Sequence, residues 1–159
     1  MIRSPDDAEL DQLCARLTQL GGDLDRSDDW PAEQLGLCAE AGVFTWFLPR
    51  HWGGQEWSDA DITRGYLRLS AACLTTTFII TQRTGACLRI AGSENALAGQ
   101  RLLSDLASGK SFATVGISHL STSRRHLAQP VLQARATDDG YTLTGYSPWV
   151  TGAAHAQTI

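Results

Sequence analysis

The chain has 159 residues, of which 43% are hydrophobic and 19% charged, and its formal net charge is -4. This composition is typical of a soluble globular protein, and the length fits one domain or one domain and part of a second. The acidic balance and the lack of any Lys/Arg run longer than Arg124-Arg125 argue against a nucleic-acid binder, and no stretch approaches the ~20 apolar residues of a membrane span.

The N-terminus and the cysteines favour a cytoplasmic protein. The opening sequence MIRSPDDAELDQ is polar and lacks the apolar core of a signal peptide. The cysteines are widely spaced without a C-x-x-C pair, so we expect buried free thiols rather than a disulfide or zinc site. The histidines lack the close helical spacing of a metal pair, and we predict no metal site. The cysteines are Cys14, Cys38, Cys73 and Cys87, and the histidines are His51, His119, His126 and His155.

The first part of the chain predicts two helices and a turn. Apolar residues recur at steps of three and four from residue 8 to about 26, which is typical of an amphipathic helix. A second helix is expected from Pro31, a favoured residue of a first helical turn, with Asp29 as its cap and Gly42 as its stop. Pro49 and the glycine pair 53–54 then predict a turn.

Three more helices are expected before residue 110. Ser58 is a suitable cap for the first of them, and acidic residues follow in its first turn. The long apolar segment 71–92 has a Thr-rich centre with strand propensity, but its length and its small residues favour a buried helix packed closely on its neighbours. Ser93 is expected to cap the last helix, which Gly109 ends.

The hydrophobic period changes near Lys110. Apolar residues alternate over 131–136 and again after the sequence DDG at 138–140, which is a strong hairpin signal. We therefore predict an α+β chain, with an all-α domain over residues 1–110 and the opening strands of a β-domain over residues 111–159.

Two parts of the predicted β-domain carry groups suited to a polar cofactor. Trp149 and Thr151 are two residues apart, so on a strand they would share one face and offer an isoalloxazine ring a stacking surface and a hydrogen bond. The loop 119–125 contains one His, three hydroxyls and two Arg, which can donate to a cofactor or a phosphate. A core position for Trp149 and a solvated connection for the loop are the alternative interpretations.

Other nucleotide and nucleophile motifs are missing. Neither G-x-G-x-x-G nor G-x-x-x-x-G-K-[ST] occurs, which argues against a Rossmann domain or a P-loop. The sequence GISH at 116–119 begins like a nucleophile elbow, but Leu120 replaces the final glycine and no alternation of strands and helices surrounds it. We therefore interpret Ser118 as a loop hydroxyl rather than a hydrolase nucleophile.

Four stretches together resemble the acyl-CoA dehydrogenase family, the flavoenzymes that desaturate acyl-CoA thioesters. LPRHWGG at 48–54 is similar to the family's P-E-x-Y-G-G turn, and the segment 91–109, which begins AGSE, is similar to the helix that leads into its β-domain. GISHL at 116–120 falls where the family has x-x-T-E-P-x-A-G-S-D. The most specific stretch is DGYTLTGYSPWVT at 139–151, which is similar to D-G-Y-x-L-N-G-x-K-x-W-I-T.

The resemblance implies FAD as the cofactor and gives roles to individual residues. Trp149 would pack against the flavin ring, Thr151 would hydrogen-bond near its N5 edge, and Ser118 would contact its pyrimidine side. The remaining implied positions are His119, Leu120 and Val150 along the flavin edge, Thr76 and Ile79 at the acyl pocket, and Arg124 at the substrate phosphates.

The chain departs from the family pattern in one loop and in length. SHLSTSRR at 118–125 lacks the acidic residue, the proline and the glycine of T-E-P-x-A-G-S-D, and Ser147 occupies the lysine position of the last motif. The family's C-terminal four-helix domain supplies the catalytic glutamate, most of the CoA site and the oligomer interface, and we expect it to be absent from these residues. No catalytic base is therefore assigned.

The resemblance implies the N-terminal helical domain and the opening strands of the β-barrel-like middle domain of a FAD-dependent, acyl-CoA dehydrogenase-like oxidoreductase of fatty acid metabolism. Its expected partners are an acyl-CoA or similar small substrate, an electron acceptor flavoprotein and, at full length, further copies of the chain. The fragment alone is expected to be inactive. A flavin monooxygenase on the same fold and a non-catalytic helical interaction module are the alternatives.

Overall fold

The computed structural model describes residues 1–27, 29–118 and 131–159. Within them, five α-helices precede one antiparallel hairpin, which confirms the predicted α+β class. The helices are α1 (Ala8–Leu24), α2 (Ala32–Glu40), α3 (Asp59–Ala72), α4 (Leu74–Ala91) and α5 (Ala96–Ser108), and the strands are β1 (Leu132–Thr137) and β2 (Gly140–Gly145). The domain boundary near residue 110 stays a prediction.

Several helix ends are where the sequence predicts them. The Ser58 hydroxyl accepts the Asp61 N–H at 3.2 Å, which confirms the cap of α3. Gly42 and Gly109 follow α2 and α5 with left-handed φ angles of 86° and 77°, which confirms both as helix stops.

The caps predicted for α2 and α5 are wrong. Pro31 occupies the cap position of α2, so Asp29 lies too far upstream to reach the first helical N–H groups. The side chain of Asn95 accepts the Ala98 N–H at the start of α5, and the Ser93 hydroxyl instead accepts the Asn95 N–H in the preceding turn. Helix α2 begins one residue after its predicted start at Pro31, and α5 begins two residues after the start that a cap at Ser93 would give.

The buried helix predicted over 71–92 is confirmed as α4, although it begins at Leu74 because Ala71 and Ala72 end α3. It packs on α3 and on α5, so it has helices on two sides. Helix α1 in turn packs on α3. One face of α4 is buried along its whole length and includes Thr76, Ile80 and Cys87. This face joins the larger of two hydrophobic clusters at its start and the smaller one at its end.

The turn between α2 and α3 is also confirmed, and it places a tryptophan in the core. Trp46 is fully buried and stacks on Trp57 with ring centroids 4.3 Å apart. Gly65 of α3 makes room for it, since a Cβ there would lie 2.6 Å from Cζ3 of Trp46. Gly54 closes the turn against the Leu48 carbonyl, where a Cβ would come within 1.8 Å.

Arg83 on α4 is fully buried and has no carboxylate partner within the described residues. Its guanidinium carbon lies 3.8 Å from the centroid of the Phe44 ring, and Nη2 donates to the Leu106 carbonyl in the last turn of α5. An aromatic face and a helix C-terminus both favour a cation. Burial lowers the pKa of Arg83, but the guanidinium remains charged, so the residue ties α4 to the end of α5.

The hairpin predicted at the DDG sequence is confirmed, whereas the strand expected at Trp149–Thr151 is wrong. Thr137 lies opposite Gly140, which leaves a loop of two aspartates between β1 and β2. Residues 149–151 form no strand. Pro148 lacks the N–H that a ladder requires, and Gly152 begins a turn with a left-handed φ of 70°.

Candidate functional site

The chain after α5 runs beside residues 157–158. The Phe112 N–H donates to Oε1 of Gln157 at 2.8 Å, and the Gln157 N–H donates to the Phe112 carbonyl at 2.9 Å. One residue on, Ala113 and Thr158 form a parallel bridge. This pairing brings the two segments that carry the predicted cofactor residues side by side.

Ser118 joins these segments through the main chain of Trp149. Its hydroxyl accepts the Trp149 N–H at 3.1 Å and lies 2.6 Å from the Trp149 carbonyl oxygen, to which it can donate. The Ser147 hydroxyl lies 2.8 Å from the Ser118 hydroxyl. Ser118 is only 5% exposed, so this contact is made inside the protein rather than at its surface.

The side chains of Trp149 and Thr151 are accessible. Trp149 is 62% exposed, and Thr151 is half-buried. No hydrogen bond within the described parts of the chain occupies the Thr151 hydroxyl. An aromatic face and an uncommitted hydroxyl therefore lie two residues apart, in a turn rather than on a strand. An exposed aromatic ring and an available hydroxyl are the chemical groups that FAD, a flat ring system with a polar edge, can use for stacking and for a hydrogen bond.

An aromatic cluster fixes the far side of the same turn to the helices. The Trp30 ring, which precedes α2, stacks on the His155 ring with centroids 4.2 Å apart and an angle of 13° between planes. The edge of the Phe112 ring meets Trp30 at a centroid distance of 5.1 Å. Gly152 lies against both, since a Cβ there would come within 2.9 Å of Trp30 and 3.0 Å of Phe112.

A groove of about 600 Å³ lies between the end of α4 and the hairpin. Its walls are largely apolar, with Ile90 from α4, Val115 after α5, Leu132 and Leu143 from the strands, and Val150. Arg89 is the one charged residue among its described lining, and the Thr114 hydroxyl is buried there without a hydrogen-bond partner in the described residues. The groove is continuous with the apolar face of the hairpin through the two leucines.

The other residues predicted for the site divide into two groups. His119, Leu120 and Arg124 lie outside the described residues. Thr76 and Ile79 are 0% and 7% exposed and belong to the helical core, and the Thr76 hydroxyl lies 3.1 Å from the Cys73 sulfur. Their proposed contact with an acyl chain stays a prediction, and the contacts they make in this chain are those of core residues.

Ser147, Trp30 and His155 are structural parts of the site that sequence reasoning missed. Ser147 stood out only as a departure from the lysine of the family motif, and its spacing of two from Trp149 was the available signal. Trp30 lies more than a hundred residues before His155 in the chain, and no local pattern connects them. The described residues contain no group of three or more His, Cys, Asp or Glu that could hold a metal ion.

No family model matches the chain, and no curated protein matches it. Solved structures do match. One concerns the electron transferring flavoprotein of Acidaminococcus fermentans, with a TM-score of 0.77 and 18% identity over 93% of this chain and 40% of that chain. A glutaryl-CoA dehydrogenase from Mycobacterium smegmatis in complex with FADH2 matches with a TM-score of 0.73 and 16% identity, over 97% of this chain and 44% of that one. A nitrososynthase from Micromonospora carbonacea var. africana matches with a TM-score of 0.69 and 20% identity, over 98% and 42%.

These matches confirm the resemblance at the level of the fold. The chain has the architecture of the N-terminal helical domain and the start of the middle β-domain of acyl-CoA dehydrogenases. It spans about two fifths of the length of the three structures described above, which is 40% to 44%. No helix among the described residues is long and apolar enough to cross a membrane.

Proposed function

We propose that this chain is the N-terminal part of a FAD-dependent oxidoreductase that oxidises an acyl thioester, with α,β-dehydrogenation of an acyl-CoA as its reaction. The observations that carry the proposal are the accessible Trp149 ring and the uncommitted Thr151 hydroxyl two residues further along the chain. The acyl-CoA dehydrogenase fold supports it, because FADH2 accompanies the glutaryl-CoA dehydrogenase on the same fold.

In this proposal each residue has a limited task. Trp149 covers one face of the ring and excludes water from it. The Thr151 hydroxyl donates a hydrogen bond at the N5 edge, where it favours the negative charge that arrives on reduction. His119, Leu120 and Val150 are proposed neighbours of the same edge. Bound FAD would supply the hydride-accepting chemistry, and the protein would orient it.

Few residues of this chain are assigned to the substrate. Arg124 is proposed to meet the phosphates of a CoA arm, since an Arg guanidinium binds phosphate with two parallel hydrogen bonds. No carboxylate is assigned as the base that removes the α-proton. An electron acceptor flavoprotein and further copies of the chain are the proposed partners of the whole protein.

The first test is the visible absorbance spectrum of the purified protein, with its intact mass. We expect a flavin band, or its appearance with a change in the band shape when FAD is titrated in. A colourless protein that leaves the spectrum of added FAD unchanged would contradict the proposal.

The second test isolates the Thr151 hydroxyl. Thr151→Val keeps the shape and removes the donor, and we expect the Kd for FAD to rise about tenfold, which corresponds to one lost hydrogen bond to a charged or polar edge. Thr151→Ser should restore most of the affinity. Thr142→Val is the matched control, because Thr142 is exposed on β2 and lies on the polar face of the hairpin, opposite the face that carries Leu143. Equal affinities for all three variants would remove Thr151 from the site.

A flavin monooxygenase is the second candidate, because the fold likeness covers a nitrososynthase as closely as a CoA-thioester dehydrogenase. Fold alone does not select between such chemistries. In the whole protein, anaerobic bleaching of the flavin by octanoyl-CoA would favour the dehydrogenase. Oxygen uptake that depends on reduced flavin, without bleaching by the thioester, would favour the monooxygenase.

A further inference from the structure

Ser118 and Ser147 form a hydroxyl pair whose hydrogen bonds are directed at one main-chain unit. A serine hydroxyl has one hydrogen to donate and two lone pairs to accept with. In Ser118 the hydrogen can go to the Trp149 carbonyl, and the lone pairs can accept the Trp149 N–H and the Ser147 hydroxyl. These three contacts tie the Ser118 hydroxyl to the main chain of Trp149 and to the Ser147 side chain.

The main chain of Trp149 depends on this pair because no strand holds it. Residues 149–151 lie outside the hairpin, and Pro148 contributes no N–H. Both main-chain polar groups of Trp149 are satisfied by Ser118. The turn that follows is held separately, by Gly152 against the Trp30 and Phe112 rings.

We propose that Ser118 and Ser147 are positioning residues that set the orientation of Trp149, and that the Ser118 hydroxyl acts through Trp149 instead of touching the flavin. This proposal rests on the proposed function for its effect on flavin binding. It replaces the contact between Ser118 and the pyrimidine side that the family resemblance implies. It also gives a role to Ser147, which otherwise is notable only because the family motif has a lysine at this position.

The direct test is hydrogen exchange at the Trp149 main-chain amide, observed by NMR in protein labelled with 15N-tryptophan. The sequence has five tryptophans, so the spectrum contains few signals, and the four others serve as internal controls. Trp149→Phe identifies the Trp149 signal. In Ser118→Ala we expect exchange at this amide to accelerate about tenfold, the effect of one lost hydrogen bond to a largely buried group. In Ser147→Ala we expect about threefold, since Ser118 retains both contacts with Trp149.

The same variants are titrated with FAD to separate positioning from contact. We expect the Kd of Ser118→Ala to rise about tenfold together with the faster exchange, and Ser118→Thr to restore both. A weaker affinity with unchanged Trp149 exchange would mean that Ser118 touches the flavin, and it would overturn the proposal. Faster exchange with unchanged affinity would overturn it as well, because the orientation of Trp149 would then not matter for binding.

Two controls distinguish these outcomes from a folding defect of the variants and from a failure of the proposed flavin binding. Far-ultraviolet circular dichroism and the exchange of Trp46, which is buried among the helices, must match the wild type. If the wild-type protein binds no FAD at all, the proposed function fails, and unchanged exchange in Ser118→Ala would still reject the hydroxyl pair by itself.

Discussion

The helical body and the hairpin bury their apolar side chains to very different degrees. In the helices, Leu10, Leu17 and Leu69 are fully buried, whereas Tyr141 and Leu143 of β2 are 75% and 64% exposed. A helix needs neighbours only along one stripe, and α1, α3, α4 and α5 provide them for one another. A hairpin of two strands has no such neighbour of its own and is marginal in water.

The strand register shows that the exposed apolar side chains of the hairpin lie on one of its two faces. Ala136 lies opposite Tyr141, and Ala134 lies opposite Leu143, so these four side chains share a face. The opposite face carries Gln133, Arg135, Thr142 and Thr144. The hairpin is therefore as amphipathic as a strand pair that packs on a core, and its apolar face continues into the groove beside α4. We therefore expect the helices to contribute most of the stability of the chain, and the hairpin to contribute little.

A large destabilisation is expected on the helical side of this comparison. Gly54→Ala places a Cβ 1.8 Å from the Leu48 carbonyl oxygen, which already accepts the Glu56 N–H at 3.0 Å. The turn cannot relieve this contact without breaking that hydrogen bond, so we expect the free energy of unfolding to fall by about 3 kcal/mol. Urea denaturation followed by circular dichroism measures it.

Gly36→Ala is the matched control for that substitution. Gly36 lies inside α2, and a Cβ there meets nothing within 4 Å. We expect a gain of about 0.5–1 kcal/mol, because alanine loses less backbone entropy on folding. A similar loss in both variants would mean that the turn at Gly54 is less constrained than the close approach indicates.

Alkaline pH should weaken the helices through their buried thiols. Burial raises the pKa of Cys38 from an ordinary value of 9.0 to about 12, and burial also raises the pKa of Cys87. A folded-state pKa above the unfolded value gives a stability that is complete below pH 9 and is lost as pH rises toward 12, because only the unfolded chain releases the proton. The slope is at most about 1.4 kcal/mol per pH unit for each thiol.

The measurement is the free energy of unfolding against pH in the presence of a reductant. Cys38→Ala should flatten the decline between pH 9 and 12, although its stability at neutral pH is lower because of the space it leaves. Cys14→Ala is the control, since Cys14 is only half-buried and its smaller upward pKa shift should remove less of the slope. Parallel curves for Cys38→Ala and the wild type would exclude Cys38 as a cause.

The sequence predicts the helical side of this comparison better than the site. Helix periodicity, Gly42 and Gly109 are local signals, and they predicted the class, order and stops of the helices. The DDG sequence likewise predicted the hairpin. The geometry at Trp149 was predicted wrongly because alternation alone does not show that Pro148 and Gly152 interrupt a strand.

Local sequence patterns could not predict the contacts that hold the candidate site, because these contacts join residues far apart in the chain. Ser118 and Trp149 are 31 positions apart, and Trp30 and His155 meet from opposite parts of the chain. Such pairs depend on how the segment after α5 returns beside residues 157–158. A family resemblance could indicate that Ser118 matters, but only the hydrogen bonds indicate that it acts on the Trp149 main chain.

The smallest expected change, at Leu143, tests the hairpin side of the comparison. Leu143→Thr replaces a side chain that is mostly in solvent, and we expect the free energy of unfolding to change by less than about 0.5 kcal/mol. Leu69→Ala, at a fully buried position of α3, should cost about 2–5 kcal/mol in the same assay.

Leu143→Thr should also reduce concentration-dependent association in sedimentation velocity, because it interrupts an exposed apolar face. A loss above about 1 kcal/mol for Leu143→Thr would instead show that the face is covered in solution, since only a buried leucine costs that much to replace. The contrast between a self-sufficient helical body and an unpartnered hairpin would then no longer hold.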